Sequence, residues 1–128
     1  MNKPVLTMLV IASALAASAA VLMSQPDSAT RTLMKAKAGY AHRLLDAVVQ
    51  EEFDVIQDQA FRLKAVTETA DWSATQTPWF VRESDGFIRA TDQLYAAAKA
   101  KDGDAAALAF VDLTLRCVHC HRALRDTP

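Results

Sequence analysis

Residues 115–128 read LRCVHCHRALRDTP. Both of the chain's cysteines and two of its three histidines fall in this stretch, between Cys117 and His121. It continues an alanine-rich segment beginning near Ala105, and no residue from there to Leu124 breaks a helix. Cys117 and His121 are therefore expected one turn apart on a helical face. Ala106, Phe110 and Leu113 precede them on that face at helical spacing. Leu108, Val111, Leu115 and Val118 occupy the other side, expected to pack on neighbouring helices.

Three more helices are read upstream. Asp27 and Ser28 are suited to cap the first, in which Met34, Ala38, Ala41, Leu45 and Val48 repeat at helical spacing. Gly39 lies inside it and suggests close packing against something flat. A polar break at 50–54 leads to a second helix with a stripe of Phe53, Ile56, Ala60, Leu63 and Thr67. Thr77 and Pro78 form an N-cap and N1 pair for a third, with Phe80, Phe87, Ile88, Thr91, Leu94 and Ala98 inward. Residues 101–104 are a tight loop with Asp104 expected to cap the fourth helix. No long stretch alternates with period two. Four helices of about 20 residues, each about 30 Å long, with short connections give an all-α, antiparallel up-down-up-down four-helix bundle over residues 27–126.

The N-terminus is different in kind. Lys3 precedes an apolar run that carries no charge before Asp27, and Ala17-Ser18-Ala19 fits a small-residue cleavage site. Residues 1–20 read as a secretory signal peptide. The alternative is an uncleaved membrane anchor ending at Met23, since Val5 to Met23 is about long enough to span a bilayer. Either way the bundle is exported, to the periplasm in a Gram-negative cell. The chain has 128 residues and a net charge of −1. Removing residues 1–20 takes away Lys3 and no acid, so what remains is more acidic. It has no basic stripe, so nucleic acid is not an expected partner.

Cys117-Val118-His119-Cys120-His121 is a C-x-x-C-H pattern, which attaches c-type haem. The two thiols add across the haem vinyl groups, and the adjoining imidazole is the proximal iron ligand. The apolar wall of Phe110 and Leu113 suits a porphyrin face. A reactive thiol pair would use the same spacing, but at a helix N-terminus, where the thiol pKa falls. Zinc would use both cysteines with His119 or His121, and no second ligand pair is evident. A disulfide across three residues of a helix is strained.

A C-x-x-C-H motif closing the last helix of a four-helix bundle resembles the cytochrome c′ family of class II cytochromes. The tail C-V-H-C-H-R-A-L-R is similar to the family's C-x-x-C-H-x-x-(aromatic)-R. Arg125 stands at the arginine position, and Leu124 replaces the aromatic. The stretch from Met34 to Gly39 is similar to the family's first helix.

The resemblance implies one covalent haem c and single-electron transfer between periplasmic redox partner proteins. Low-spin members place a methionine from the first helix on the iron. Here that is Met34, which an antiparallel bundle sets level with His121. High-spin members leave the sixth position open, and some bind nitric oxide or carbon monoxide. Leu45 is the apolar neighbour expected to block it in this chain.

His42 is about 12 Å further along the helix than Met34 and about 80° around it, so it is expected at the surface. Arg125, Lys35 and Lys37 are candidates for pairing with haem propionates. Trp72 and Trp79 flank the long loop and are expected to cap the bundle end. Nothing in the chain supplies an acid–base pair or a substrate pocket, so no enzymatic turnover is expected. Residual apolar surface on helices one and two would allow a homodimer.

Overall fold

The structure, a computed structural model, describes residues 28–69 and 77–126. The signal or anchor segment, Asp27 and Trp72 lie outside the described residues. Two compact units divide the chain, Met1–Thr32 and Leu33–Pro128. In the first, the described residues are the opening turn of a helix, where the Thr32 hydroxyl donates to the Ser28 carbonyl at 2.9 Å. That helix, α1, runs Ser28–Val49; α2 is Phe53–Glu68, α3 Pro78–Lys99 and α4 Gly103–Asp126. The described residues contain no strand. None of their helices is long and apolar enough to cross a membrane. The fold is an all-α four-helix bundle.

Local chemistry sets the helix ends. α1 closes with Glu51 in the left-handed region (φ 55°). The Glu52 amide donates to the Ala47 carbonyl at 2.9 Å and the Glu51 amide to Val48 at 3.3 Å, a Schellman closure. α3 ends the same way around Lys101 (φ 58°), with Asp102 donating to Ala97 and Lys101 to Ala98, both at 3.0 Å. Each closure reverses the chain within three residues and makes the flanking helices antiparallel. At the start of α3, the Phe80 amide donates to the Thr77 hydroxyl, with Pro78 at the first position, as the sequence predicts.

The expected cap at Asp104 is wrong by two residues. The Ala105 amide donates to the Asp102 carboxylate at 2.9 Å, and α4 begins at Gly103. One residue thus ends the α3 closure and caps α4, which leaves Asp104 in the first turn, where its charge meets the positive helix end.

The core is drawn from all four helices, with Leu44, Ile56, Leu63 and Leu94 wholly inside. The closest pairs are α2–α3 and α3–α4. The reason is side-chain size: Ala60, Ala90, Ala97, Ala98, Ala106 and Ala109 are all buried, and alanine lets helix axes approach. The stripes expected on α2 and α3 are the inward faces, with Phe53 and Ile88 only half-buried.

α1 departs from expectation. Its buried residues are Leu44 and Ala47, whereas Leu45 is 52% exposed and Ala38 is also exposed. Met34, Ala41 and Val48 are half-buried. The inward face is centred about one residue earlier than an apolar count gives. Lys37 and Tyr40 lie on it and contribute methylenes and a ring rather than purely apolar groups. Leu45 therefore does not stand as an inward blocking residue. A β-carbon added at Gly39 would meet nothing within 4 Å among the described residues.

On α4 the expected inward face holds for Ala106 and Leu113, with Phe110 half-buried. The opposite expectation fails: Leu108, Val111, Leu115 and Val118 are all exposed rather than packed on neighbouring helices. α3 meets α4 on its other side, which leaves these four facing outward.

Candidate functional site

α4 is unbroken from Gly103 to Asp126, so Cys117, Cys120 and His121 sit on one rigid helix. Both cysteines are free thiols; Cys117 is exposed and Cys120 half-buried. His121 and His119 are exposed. Three and four residues are about one helical turn, so the two sulfurs and the His121 ring share a side of α4.

A side chain from α1 reaches this place. The Lys37 ammonium lies 4.4 Å from the centre of the Phe87 ring, a cation–π contact between α1 and α3. It also lies close enough to both thiols to couple with them electrostatically. Loss of water around Lys37 holds its pKa below the ordinary ammonium value, and negative charge on Cys117 and Cys120 opposes that shift. Burial pushes both thiols above the ordinary value, partly offset by Lys37; for Cys120, Glu83 and Cys117 add to the rise. Neither thiol is activated as a redox nucleophile would be.

Lys37 couples electrostatically with Cys117 and Cys120, and α1 and α4 run in opposite directions. Met34, about one turn earlier on α1, therefore lies further towards the His121 end of α4. Met34 is half-buried. Of the two lysines expected near the motif, the structure brings in Lys37, while Lys35 is exposed.

Phe110 and Leu113 lie in or against the core cluster below the motif, and Phe87 joins them from α3. Arg125 is exposed in the last turn of α4, where a cation meets the negative end of the helix. His42 is exposed, as expected. Trp79 is half-buried and packs its edge on Phe80, with ring centroids 5.9 Å apart.

Sequence reading missed a polar pair beneath the motif. The Arg116 guanidinium approaches the Glu83 carboxylate at 3.9 Å and the Asp112 carboxylate at 3.2 Å. Glu83 Oε2 and Arg116 Nε are buried without a hydrogen-bond partner. A buried polar atom left unmatched is costly and marks a place where another group fits. Gly86 makes room for this arginine, since a β-carbon there would come within 2.9 Å of its Nη1. Only the adjacency of Arg116 to Cys117 could have signalled it.

Together the residues present two free thiols, an imidazole, a half-buried methionine on α1 and an aromatic and aliphatic floor. That set suits a haem. The described residues hold no group of three His, Cys, Asp or Glu side chains placed to share a metal ion. No protein-family model, no curated protein and no solved structure matches this chain.

Proposed function

We propose that the protein is an exported c-type cytochrome carrying one covalent haem and passing single electrons between redox partner proteins in the periplasm. The observation that carries this reading is the C-x-x-C-H sequence on an unbroken helix, faced at the same level by α1 and floored by Phe87, Phe110 and Leu113. Cys117 and Cys120 would hold the haem through thioethers, and His121 and Met34 would supply ligands to its iron. A haem bound there supplies a one-electron iron couple.

The protein's part is to hold geometry and exclude water. α4 fixes the thiols and the imidazole on one rigid rod, and the aromatic floor keeps one side dry. A thioether from Met34 favours ferrous iron and raises the potential. Lys37 has a flexible stem of four methylenes, by which its ammonium would reach a haem propionate. Arg125, one turn beyond His121, would offer the same pairing. The outline and the tail motif resemble the cytochrome c′ family, and the reading extends that resemblance residue by residue.

The test is the visible spectrum of the protein made in a host competent for haem attachment. A low-spin spectrum with a sulfur–iron charge-transfer band is expected, with colour retained after denaturation. Met34→Ala should turn it high-spin. Cys117→Ser with Cys120→Ser should yield protein whose colour is lost on denaturation. Colourless wild-type protein refutes the reading. A high-spin wild type that takes up carbon monoxide moves the function to nitric oxide or carbon monoxide binding.

A further inference from the structure

Glu83 on α3 stands beside the motif, and the fold makes poor use of its charge. Its carboxylate meets Arg116 at 3.9 Å and Arg82 at 3.6 Å, both too long for a hydrogen bond. Arg116 donates instead to Asp112 at 3.2 Å. Glu83 Oε2 and Arg116 Nε are left buried and unmatched. An ion pair this open does not repay the water it loses, so stability does not account for it. The side chains differ in exposure: Glu83 is 17% exposed, against 31% for Arg116, 37% for Asp112 and 67% for Arg82. Within this group the Glu83 carboxylate is therefore the charge that water screens least. Its field reaches the motif, where the Cys120 thiol is pushed up by burial first, drawn down by Lys37 and raised again by Glu83.

We infer, resting on the cytochrome reading above, that Glu83 sets the reduction potential of the site, its carboxylate favouring the ferric form of a haem joined to Cys120. Reduction adds one electron and takes one positive charge from the iron. A nearby fixed carboxylate loses an attraction at that step, and so opposes it. Two unit charges about 10 Å apart at an effective dielectric constant of about 20 interact strongly enough to move the equilibrium about tenfold. The Met34 thioether and the Lys37 ammonium pull the other way, so the potential is a balance between ligand and charge. Glu83 acts here through its field and touches no iron ligand. A plain latch between α3 and α4 is the alternative role. Loss of a latch would admit water, which favours ferric iron and lowers the potential. Loss of a carboxylate charge raises it. The two roles therefore give opposite signs for one substitution.

Spectroelectrochemical titration of the haem-loaded full chain tests this. Glu83→Gln keeps the shape and removes the charge. It should favour reduction about threefold to tenfold, a rise of about 30–60 mV. The rise should persist at high salt, where the field of an exposed charge is screened. Glu83→Asp keeps the charge and should stay within about twofold of wild type. Arg116→Gln removes a cation and should move the potential down. All three should keep the wild-type visible spectrum, because no iron ligand changes. A potential that is unchanged or lowered in Glu83→Gln overturns the inference, and so does one that fails to fall in Arg116→Gln. A changed spin state in Glu83→Gln overturns it too, since the residue would then be holding the ligands. In each of these cases the protein is coloured and the cytochrome reading stands, whereas colourless wild-type protein refutes both.

Discussion

Lys37 shows how a single residue can carry a site's history. Its ammonium is held over the Phe87 ring and near two thiols, partly short of water. Lys37→Met should stabilise the haem-free chain by about 1 kcal/mol, read from urea unfolding, since it removes a partly desolvated charge and keeps the stem's volume. The pH dependence has a definite sign. Lys37 has a lower pKa folded than unfolded, so between those two values the unfolded chain binds more protons, and stability rises with pH towards the ordinary lysine range. The thiols act the other way: their folded pKa values are raised, so the stability they contribute is lost as pH rises through the folded values. In a Cys117→Ala, Cys120→Ala background the Lys37 trend remains below 10.5; the opposite trend of Lys64, whose hydrogen bond to Asp92 raises its pKa, falls above that value. The unfolding midpoint should climb through the alkaline range below 10.5, and adding Lys37→Met should flatten that climb. An equal climb in both variants assigns it to another group.

The two α-hairpin turns decide where elements begin and end, and they do so with the same device. Glu51 and Lys101 both adopt the left-handed conformation, which costs a residue with a β-carbon about 1–2 kcal/mol. Glycine escapes that cost but loses about 0.5–1 kcal/mol of chain entropy on folding. Lys101→Gly should therefore stabilise the bundle by about 0.5–1 kcal/mol in chemical denaturation. Asp102→Ala should cost about 1 kcal/mol, because the Ala105 amide loses its acceptor. Asp104→Ala should cost less than Asp102→Ala in the same assay; the reverse order would move the cap back to Asp104. Thr77-Pro78 was legible because proline announces a first turn, whereas Asp102 and Asp104 are the same residue type two apart and only the hydrogen bond separates them.

At the scale of the whole bundle, stability rests on a narrow core. Leu94 is wholly buried among alanines, so Leu94→Ala should cost about 2–5 kcal/mol. Leu108→Ala, on the outer face of α4, should change the monomer by no more than about 0.5 kcal/mol. Equal losses at the two sites would mean that the outer face is covered within one chain. The sequence by itself determined the helices, their number and antiparallel order, and the attachment motif, because periodicity, helix punctuation and C-x-x-C-H spacing are local. It also determined most of the inward faces of α2 and α3, where one stripe is plainly more apolar than any other. Only the tertiary structure decided the register of α1, where Leu44-Leu45 and Ala47-Val48 offer two nearly equal apolar faces and contact with the other helices selects one. It alone brought Glu83 and Arg116 to the motif, chose Lys37 over Lys35 and turned Leu108, Val111, Leu115 and Val118 outward. Which side of an amphipathic helix meets its neighbours depends on the neighbours' side-chain volumes and charges, and those lie tens of residues away along the chain.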